Sequence, residues 1–327
     1  MLATEIKKAR QLLNEKESIL VISHRSPDSD TLGAGIALNI LLSRFDRSVT
    51  LACVDKPSKS FSFLPHIDKY VKEFDISEYD LVVIVDAGAS YMTDFHLKYP
   101  DMYETDVPII NIDHHASNDL FGTVNIVDPL SASVTLMLYR MFIEWGVDID
   151  KDMATCLLAG MYGDTGSFMH SNTSKEVLDA AADLMERGAS VAEISKSLFK
   201  NTSVDSLRLW GKVLENAYIT PDGVTMSVVN DSDYDDSNAG PDNLSGVIDY
   251  LNMVPDTRFA VLVNEDRHGN VKGSFRTRNE DVDVSRIAAV FGGGGHPKAS
   301  GFSVPGKLQQ DVRYSIVSDA NNKSLEF

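Results

Sequence analysis

Cysteine is scarce in this sequence, which contains only Cys53 and Cys156 among its 327 residues. Two cysteines cannot build a disulfide framework or a thiolate-rich zinc site, and both lie in apolar segments, so we expect buried free thiols in a reducing compartment. Long apolar runs are also missing, because runs such as Leu81–Val85 are far shorter than the about 20 residues that cross a bilayer. Residues 1–18 lack the apolar core of a signal peptide. These features predict a cytoplasmic protein without a membrane partner.

Positive charge is also in short supply. The chain has 30 lysine and arginine residues against 48 aspartate and glutamate residues, which gives a formal net charge of −18. Such a protein has no general attraction for long nucleic acid or for anionic lipid. A polyanionic substrate would therefore need a local binding site, and bound metal ions are one way to invert the local field.

Apolar runs and helical stretches alternate in the first half of the chain. The clearest runs are residues 18–23, 49–54, 80–88 and 107–115. These runs are short, rich in β-branched residues and apolar on both faces, which is typical of buried strands in a parallel sheet. The alternation therefore predicts an α/β fold whose N-terminal domain is a doubly wound, mostly parallel sheet.

The pattern changes in the second half of the chain. Two strand-like runs flank His268-Gly269-Asn270, which is a strong hairpin signal. Strands and short helices follow one another there without the βα alternation, which predicts a smaller α+β domain with a mixed sheet. We assign residues 1–189 to the first domain, 190–217 to a helical connector and 218–327 to the second domain.

Aspartate and histidine residues cluster where the predicted strands end and where one apolar helix ends. These residues are His24, Asp28, Asp30, Asp86, Asp113, His114, His115 and Asp164. In open α/β sheets the carboxyl ends of the strands form the ligand-binding crevice. A single aspartate at such a place is usually a helix cap or a turn former. The whole set is better explained as a metal site, because carboxylate and imidazole suit Mn²⁺ or Fe²⁺ and a two-ion site needs a bridging carboxylate.

A run of glycines marks the second domain. It comprises Gly292, Gly293, Gly294 and Gly295 and is followed by His296. Consecutive glycines let the backbone approach a phosphate closely, with N–H groups free to donate. A flexible linker is the alternative, but the run lies between a predicted helix and an apolar strand. We therefore expect an anion-binding loop, and we expect the planar guanidinium of Arg276 to assist it.

The ordered set of segments resembles the four motifs of the DHH phosphoesterase superfamily, and residues 291–301 resemble the hallmark of the DHH-associated domain. Within the superfamily the chain is most similar to the bacterial nanoRNases, or oligoribonuclease and pAp-phosphatase proteins. The resemblance implies two divalent ions, Mn²⁺ in our interpretation, that share Asp86. The first ion would be bound by His24, Asp28 and Asp86. The second would be bound by Asp30, Asp86, His114 and Asp164.

The resemblance also implies roles for residues that act on the substrate. Asp113 and His115 would be catalytic, with Asp113 orienting a ligand histidine and His115 facing the scissile phosphate. Arg276, the four glycines and His296 would bind the substrate. Which of the two adjacent histidines, His114 or His115, is the metal ligand remains open at this point.

These features together predict a Mn²⁺-dependent phosphodiesterase. Its substrates would be very short RNA oligonucleotides or linear dinucleotides, cleaved to 5′-mononucleotides, with pAp 3′-phosphatase activity as a second reaction. A cyclic-dinucleotide phosphodiesterase acting on c-di-AMP is the first alternative, and a non-catalytic nucleotide-binding module is the second. The sequence leaves the oligomeric state open, with a homodimer as one option.

Overall fold

The chain forms two compact units, Met1–Asn201 and Thr202–Phe327. The computed structural model describes residues 2–103, 105–199 and 202–309, together with two short strands, at 315–316 and 325–326. The boundary between the units lies inside the stretch 190–217. In that stretch Ile194 is buried in the core of the first unit, and Leu209 is buried in the core of the second.

The first unit is built on a six-stranded sheet in which every neighbouring pair is parallel. Its strands are β1 (Ser18–Ser23), β2 (Ser48–Ala52), β3 (Tyr70–Val71), β4 (Leu81–Val85), β5 (Ile109–Asp113) and β6 (Val124–Val127). Their order across the sheet is β3-β2-β1-β4-β5-β6. The predicted parallel α/β architecture is confirmed.

Both faces of this sheet are covered by apolar core. Ile19 and Val21 of β1 enter the core on one face, whereas Leu20 and Ile22 enter the core on the other. The alternation follows from the two-residue period of a strand, so a strand buried on both faces must be apolar throughout. The helices of this unit are α1 (Leu2–Glu15), α2 (Ser29–Ser43), α3 (Phe95–Lys98), α4 (Val134–Trp145), α5 (Lys151–Asp164), α6 (Lys175–Glu186) and α7 (Val191–Phe199).

Helices α2 and α5 pack against each other unusually closely. A Cβ atom on Gly33 of α2 would come within 3.0 Å of the backbone carbonyl oxygen of Cys156 in α5. A Cβ atom on Gly163 of α5 would come equally close to the Ser29 hydroxyl of α2. Glycine at these positions therefore allows the close approach. As a result Asp30, near the start of α2, and Asp164, at the end of α5, are brought together.

The second unit contains a mixed six-stranded sheet. Its strands are β7 (Tyr218–Ile219), β8 (Val224–Val229), β9 (Phe259–Glu265), β10 (Asn270–Arg276), β11 (Gly294–His296) and β12 (Ala299–Pro305), in the order β11-β12-β10-β9-β8-β7. Only β8 and β9 pair in parallel. Its helices are α8 (Val204–Glu215), α9 (Asp231–Ser237), α10 (Val247–Leu251) and α11 (Val284–Val290), and β13 (Ser315–Ile316) pairs with β14 (Leu325–Glu326).

The predicted hairpin joins β9 to β10. Its turn includes Arg267 and Gly269 at positive φ, and the Asp266 carboxylate accepts hydrogen bonds from the backbone N–H groups of His268 and Asn270. The mixed sheet expected for the second half is therefore confirmed. Among the described residues, none of the helices combines the length and apolar character that a membrane crossing requires.

Candidate metal centre

The candidate site lies at the carboxyl ends of three adjacent strands, β1, β4 and β5. The chain leaves β1 toward β2 on one side, whereas β4 and β5 extend the sheet on the other side. This reversal is a topological switch point, where open α/β sheets bind their ligands. His24 follows β1, Asp86 follows β4, and Asp113 is the last residue of β5.

Helices α2 and α5 add three more carboxylates. Asp28 is the N-cap of α2, and its Oδ1 accepts hydrogen bonds from the backbone N–H groups of Asp30 and Thr31 at 2.9 and 3.1 Å. Asp28 therefore has the capping role that a lone aspartate would have, but its side chain is half exposed beside the other acidic groups. Asp30 is fully buried, and Asp164 ends α5.

Histidine and aspartate atoms meet in three groups within the described part of this unit: His24 with Asp28 and Asp86, Asp30 with His114 and Asp164, and Asp86 with Asp113 and His115. The first two groups are the clusters that concern the ions. In the first, His24 Nε2 lies 3.3 Å from Asp86 Oδ2 and 3.9 Å from Asp28 Oδ1. In the second, His114 Nε2 lies 3.2 Å from Asp164 Oδ2, and Asp30 presents a ligand atom to the same group. The structure thus brings together the side chains that the sequence indicated for each ion.

Asp86 lies between the two clusters. Its Oδ2 faces His24, whereas its Oδ1 lies 3.6 Å from His114 Nε2. The residue is buried and adopts a left-handed backbone conformation with φ of 59°, which is uncommon outside glycine. Within the described part of the chain, Oδ1 has no hydrogen-bond partner. A buried carboxylate oxygen without a donor is costly, and a cation would satisfy it.

Backbone carbonyl groups decide which nitrogen each histidine presents. The Nδ1–H of His24 donates to the Arg25 carbonyl at 2.7 Å, and that of His114 donates to the Ser131 carbonyl at 3.2 Å. Because a carbonyl can only accept, both residues keep Nε2 for the carboxylate clusters. His115 differs, because its Nδ1 lies 2.6 Å from Asp113 Oδ1.

The observed spacing fits divalent cations. Two ligand atoms bound to one ion at about 2.1 Å are about 3.0 Å apart at a right angle and about 4.2 Å apart when opposite. The nitrogen-to-oxygen distances in the two clusters, 3.2 to 3.9 Å, lie within this range. The donors are imidazole and carboxylate, which suit Mn²⁺, Fe²⁺ or Zn²⁺. The residues present therefore fit metal ions.

The electrostatics of the clusters also favour added positive charge. Burial alone would lower the pKa of His24, but its hydrogen bond to Asp86 and the charges of Asp28 and Asp86 raise it to about 10. His114 is likewise opposed by burial, yet its hydrogen bond to Asp164 and the surrounding carboxylates raise its pKa to about 11. Burial and the charge of Asp30 raise the pKa of Asp164 well above its usual value. Buried carboxylates here outnumber the positive groups that could neutralise them.

Two supporting residues were not assigned from the sequence. The Asn118 side-chain NH₂ donates to Asp113 Oδ2 at 2.6 Å and to Asn111 Oδ1 at 2.8 Å. Its own oxygen accepts from the Leu120 N–H, which fixes the orientation of the amide. Asp113 is thus held between His115 and Asn118. The second supporting residue is Thr135, the second residue of α4, whose hydroxyl donates to Asp30. Its only signal in the sequence was the run of small residues at 131–135.

In the second unit, Gly292 and Gly293 lie between α11 and β11, and Gly294 and Gly295 are the first two residues of β11. The N–H groups of Gly292 and Gly293 donate to the carbonyl groups of Ala289 and Ala288, so these two are not available to an anion as the sequence suggested. Gly292 and Gly295 have positive φ, and a Cβ on Gly293 would clash with the backbone of the facing strand β12. At Gly294 a Cβ would meet nothing within 4 Å. The fold therefore accounts for glycine at every position of the run except 294.

Arg276 and His296 lie in one row of the second sheet. Both residues pair with Ala299 of β12, one from each side, so all three point to the same face of the sheet. The Arg276 Nε lies 3.5 Å from Asp249 Oδ1, and one of its NH groups donates to the Phe275 carbonyl. Burial lowers the pKa of Arg276, although Asp249 opposes the shift. Hence an arginine and a histidine flank Ala299 on one face of the sheet.

Comparison with known proteins identifies the family. Residues 18–161 match the model of the DHH family, N-terminal domain, and residues 222–322 match the DHHA1 domain. A bifunctional oligoribonuclease and PAP phosphatase NrnA from Thermus thermophilus is 30% identical over 312 residues, which cover 94% of this chain and 90% of that protein. The chain therefore belongs to the DHH family of phosphoesterases and is a hydrolase, as the sequence motifs predicted.

Further relatives agree with this assignment. A protein of the same name from Bacillus subtilis is 26% identical over 294 residues, covering 88% of this chain and 90% of that protein. The crystal structure of an exopolyphosphatase-related protein from Bacteroides fragilis superposes with a TM-score of 0.86 at 24% identity. The superposition covers 94% of this chain and 92% of the B. fragilis chain, and it supports the fold.

Proposed function

We propose that this protein is a Mn²⁺-dependent phosphodiesterase that degrades very short RNA or linear dinucleotides to 5′-mononucleotides and removes the 3′-phosphate of pAp. The carrying observation is Asp86, a buried carboxylate that turns one oxygen toward each of two histidine and aspartate clusters. The names of the relatives from T. thermophilus and B. subtilis support the substrate class.

The metal ligands follow from the two clusters. His24, Asp28 and Asp86 would hold one ion, and Asp30, Asp86, His114 and Asp164 would hold the other. Bound divalent ions would supply an activated water and neutralise charge on the phosphate. His114 is assigned as the ligand because its Nε2 faces the carboxylates, while its Nδ1 is engaged by a carbonyl group.

Asp113 and His115 would act on the substrate as a pair. Asp113 accepts the Nδ1–H of His115 and is itself held by Asn118, so the imidazole ring has a fixed orientation. A ring held in this way can donate a hydrogen bond to a phosphate oxygen as negative charge develops there. Asp113 would stabilise the charged imidazole in that state.

The second domain, which we predict to span residues 218–327, would bind the phosphate or nucleotide. Arg276 and His296 offer charged and hydrogen-bonding groups on one face of the sheet. Gly294 is exposed and not required by the fold, so a ligand that approaches its backbone would account for the missing side chain.

Short substrates agree with the net charge of −18, since longer strands need a basic track. The two buried free thiols agree with a reducing cytoplasm.

The test is a turnover panel with purified full-length protein and Mn²⁺. Its substrates are RNA two-mers, five-mers and twenty-four-mers, pAp, linear pApA and c-di-AMP. We expect turnover of pAp, pApA and the two- to five-mers, with little cleavage of the twenty-four-mer. Asp86→Asn is the matched variant, because asparagine tolerates the left-handed conformation and removes only the charge. We expect it to lose at least about 100-fold in kcat.

Asp46→Asn is the control, because Asp46 also has positive φ but lies in an exposed turn outside the clusters. It should retain wild-type turnover. Preference for c-di-AMP would replace the proposal with a cyclic-dinucleotide phosphodiesterase. Nucleotide binding without turnover of any substrate would replace it with a nucleotide-binding module.

A further inference from the structure

Asp30 is anchored by the first turn of a helix that lies 104 residues further along the chain. Its Oδ2 accepts the Val134 N–H at 2.7 Å, and its Oδ1 accepts the Thr135 N–H at 3.0 Å. The Thr135 hydroxyl also donates to Oδ1, at 2.6 Å. All of these groups are fully buried. Three donors thus fix a carboxylate that would otherwise rotate about its side-chain bonds.

The direction of the Thr135 hydroxyl is set by its neighbours. Its single proton goes to the Asp30 carboxylate, so the Ser133 hydroxyl, 2.9 Å away, must donate to the Thr135 oxygen. The Ser133 oxygen in turn accepts the Leu136 N–H as the N-cap of α4. The hydroxyl groups therefore form a short chain of donors that ends at Asp30.

Helix α5 closes over this contact. A Cβ on Gly160 would lie 2.5 Å from Asp30 Oδ1 and equally near the Thr135 side chain. The backbone of α5 therefore packs directly on the pair and leaves no room for a bridging water. Thr135 cannot be replaced by solvent without displacing neighbouring atoms.

We infer that Thr135 is a positioning residue that holds Asp30 in the orientation needed to share an ion with His114 and Asp164. This inference rests on the metal centre of the proposed function. It is specific to one ion, because other groups orient the first cluster: the Arg25 carbonyl holds His24, and the α2 backbone holds Asp28. Hydrogen bonds of this kind orient ligands and tune their basicity.

The experiment compares Thr135→Ala with Thr135→Ser in the full-length protein. The two variants both lose the methyl group and differ only in the hydroxyl, so packing changes cancel between them. Mn²⁺ binding is measured by isothermal titration calorimetry, and the spin-coupled Mn²⁺ pair is followed by electron paramagnetic resonance. We expect Thr135→Ala to weaken the binding of one Mn²⁺ ion about 10- to 100-fold and to leave the affinity for the other ion within threefold of the wild-type value. Thr135→Ser should restore both affinities and the coupled signal.

Different outcomes separate the inference from the centre on which it rests. Equal affinities in the alanine and serine variants would overturn the positioning role. Weaker binding of both ions, together with a lower melting temperature of the metal-free protein, would overturn it as well, since that combination indicates a folding defect. Wild-type protein that binds fewer than two Mn²⁺ would overturn the two-ion centre itself, and the inference with it.

Discussion

Replacement of Gly33 by alanine tests whether the close packing of α2 and α5 builds the metal centre. A Cβ at this position would come within 3.0 Å of the Cys156 carbonyl oxygen. That atom belongs to the backbone of α5, so no side-chain rotation can relieve the contact. The two helices must therefore separate, and Asp30 and Asp164 separate with them.

The magnitude follows from two opposing effects. Carbon and carbonyl oxygen atoms normally stay about 3.3 Å apart or more, and the added Cβ would lie far inside that distance, so the helices must move by roughly 1 Å. Overpacking of this kind costs about 1–3 kcal/mol. Alanine recovers about 1 kcal/mol through its higher helix propensity. We therefore expect Gly33→Ala to lower the free energy of unfolding of the first unit by up to about 2 kcal/mol.

Gly211→Ala is the matched control for helix propensity. Gly211 lies inside α8 of the second unit, and a Cβ there would meet nothing within 4 Å. This substitution should stabilise the second unit by about 1 kcal/mol. The contrast between the two variants isolates the contact with the Cys156 carbonyl from the general effect of alanine.

The assay can follow each unit separately, because the chain has two tryptophans, Trp145 in α4 and Trp210 in α8. Urea unfolding is recorded in Trp210→Phe protein for Gly33→Ala and in Trp145→Phe protein for Gly211→Ala. Mn²⁺ affinity is measured in parallel and should fall in Gly33→Ala alone. If Gly33→Ala unfolds like its parent and binds Mn²⁺ equally well, the packing argument is refuted.

Two further predictions concern the site. His24 and His114 have pKa values of about 10 and about 11, so each imidazole carries a proton that Mn²⁺ must displace. The affinity for Mn²⁺ should therefore rise about tenfold per pH unit for each proton released. Calorimetry in buffers of different ionisation enthalpy counts these protons, and equal affinity at pH 6 and 8 would contradict the electrostatics. Asn118→Asp places a second carboxylate 2.6 Å from Asp113, so kcat should fall at least about tenfold at pH 7 and recover partly at lower pH. A kcat profile parallel to that of Asn118→Ala would show that charge is not the cause.

Local sequence patterns were sufficient for the strands and for the motif positions. Runs such as Leu81–Val85 are apolar throughout because both faces of the sheet are buried, and that requirement is visible in the residues themselves. The capping role of Asp28 at the start of α2 is also local, because it depends on N–H groups two and three residues away. The hairpin at Gly269 is local in the same way.

The glycine run shows what a local pattern leaves undecided. Four glycines suggested several free N–H groups, but those of Gly292 and Gly293 close the end of α11. Position 293 requires glycine because the backbone of β12, which follows later in the chain, packs against it. Only the packed structure distinguishes these glycines from Gly294.

Patterns within short segments were enough to predict the fold class, the order of the motifs and the residue types available for metal binding. Which atoms face one another depends instead on tertiary packing. His114 and His115 are adjacent and identical in type, yet the Ser131 carbonyl turns one toward the carboxylates and Asp113 holds the other. Thr135 of α4 meets Asp30 of α2, and Gly160 of α5 leaves room for the pair. The contact between Thr135 and Asp30 joins residues 105 positions apart, so no local pattern in the sequence records it.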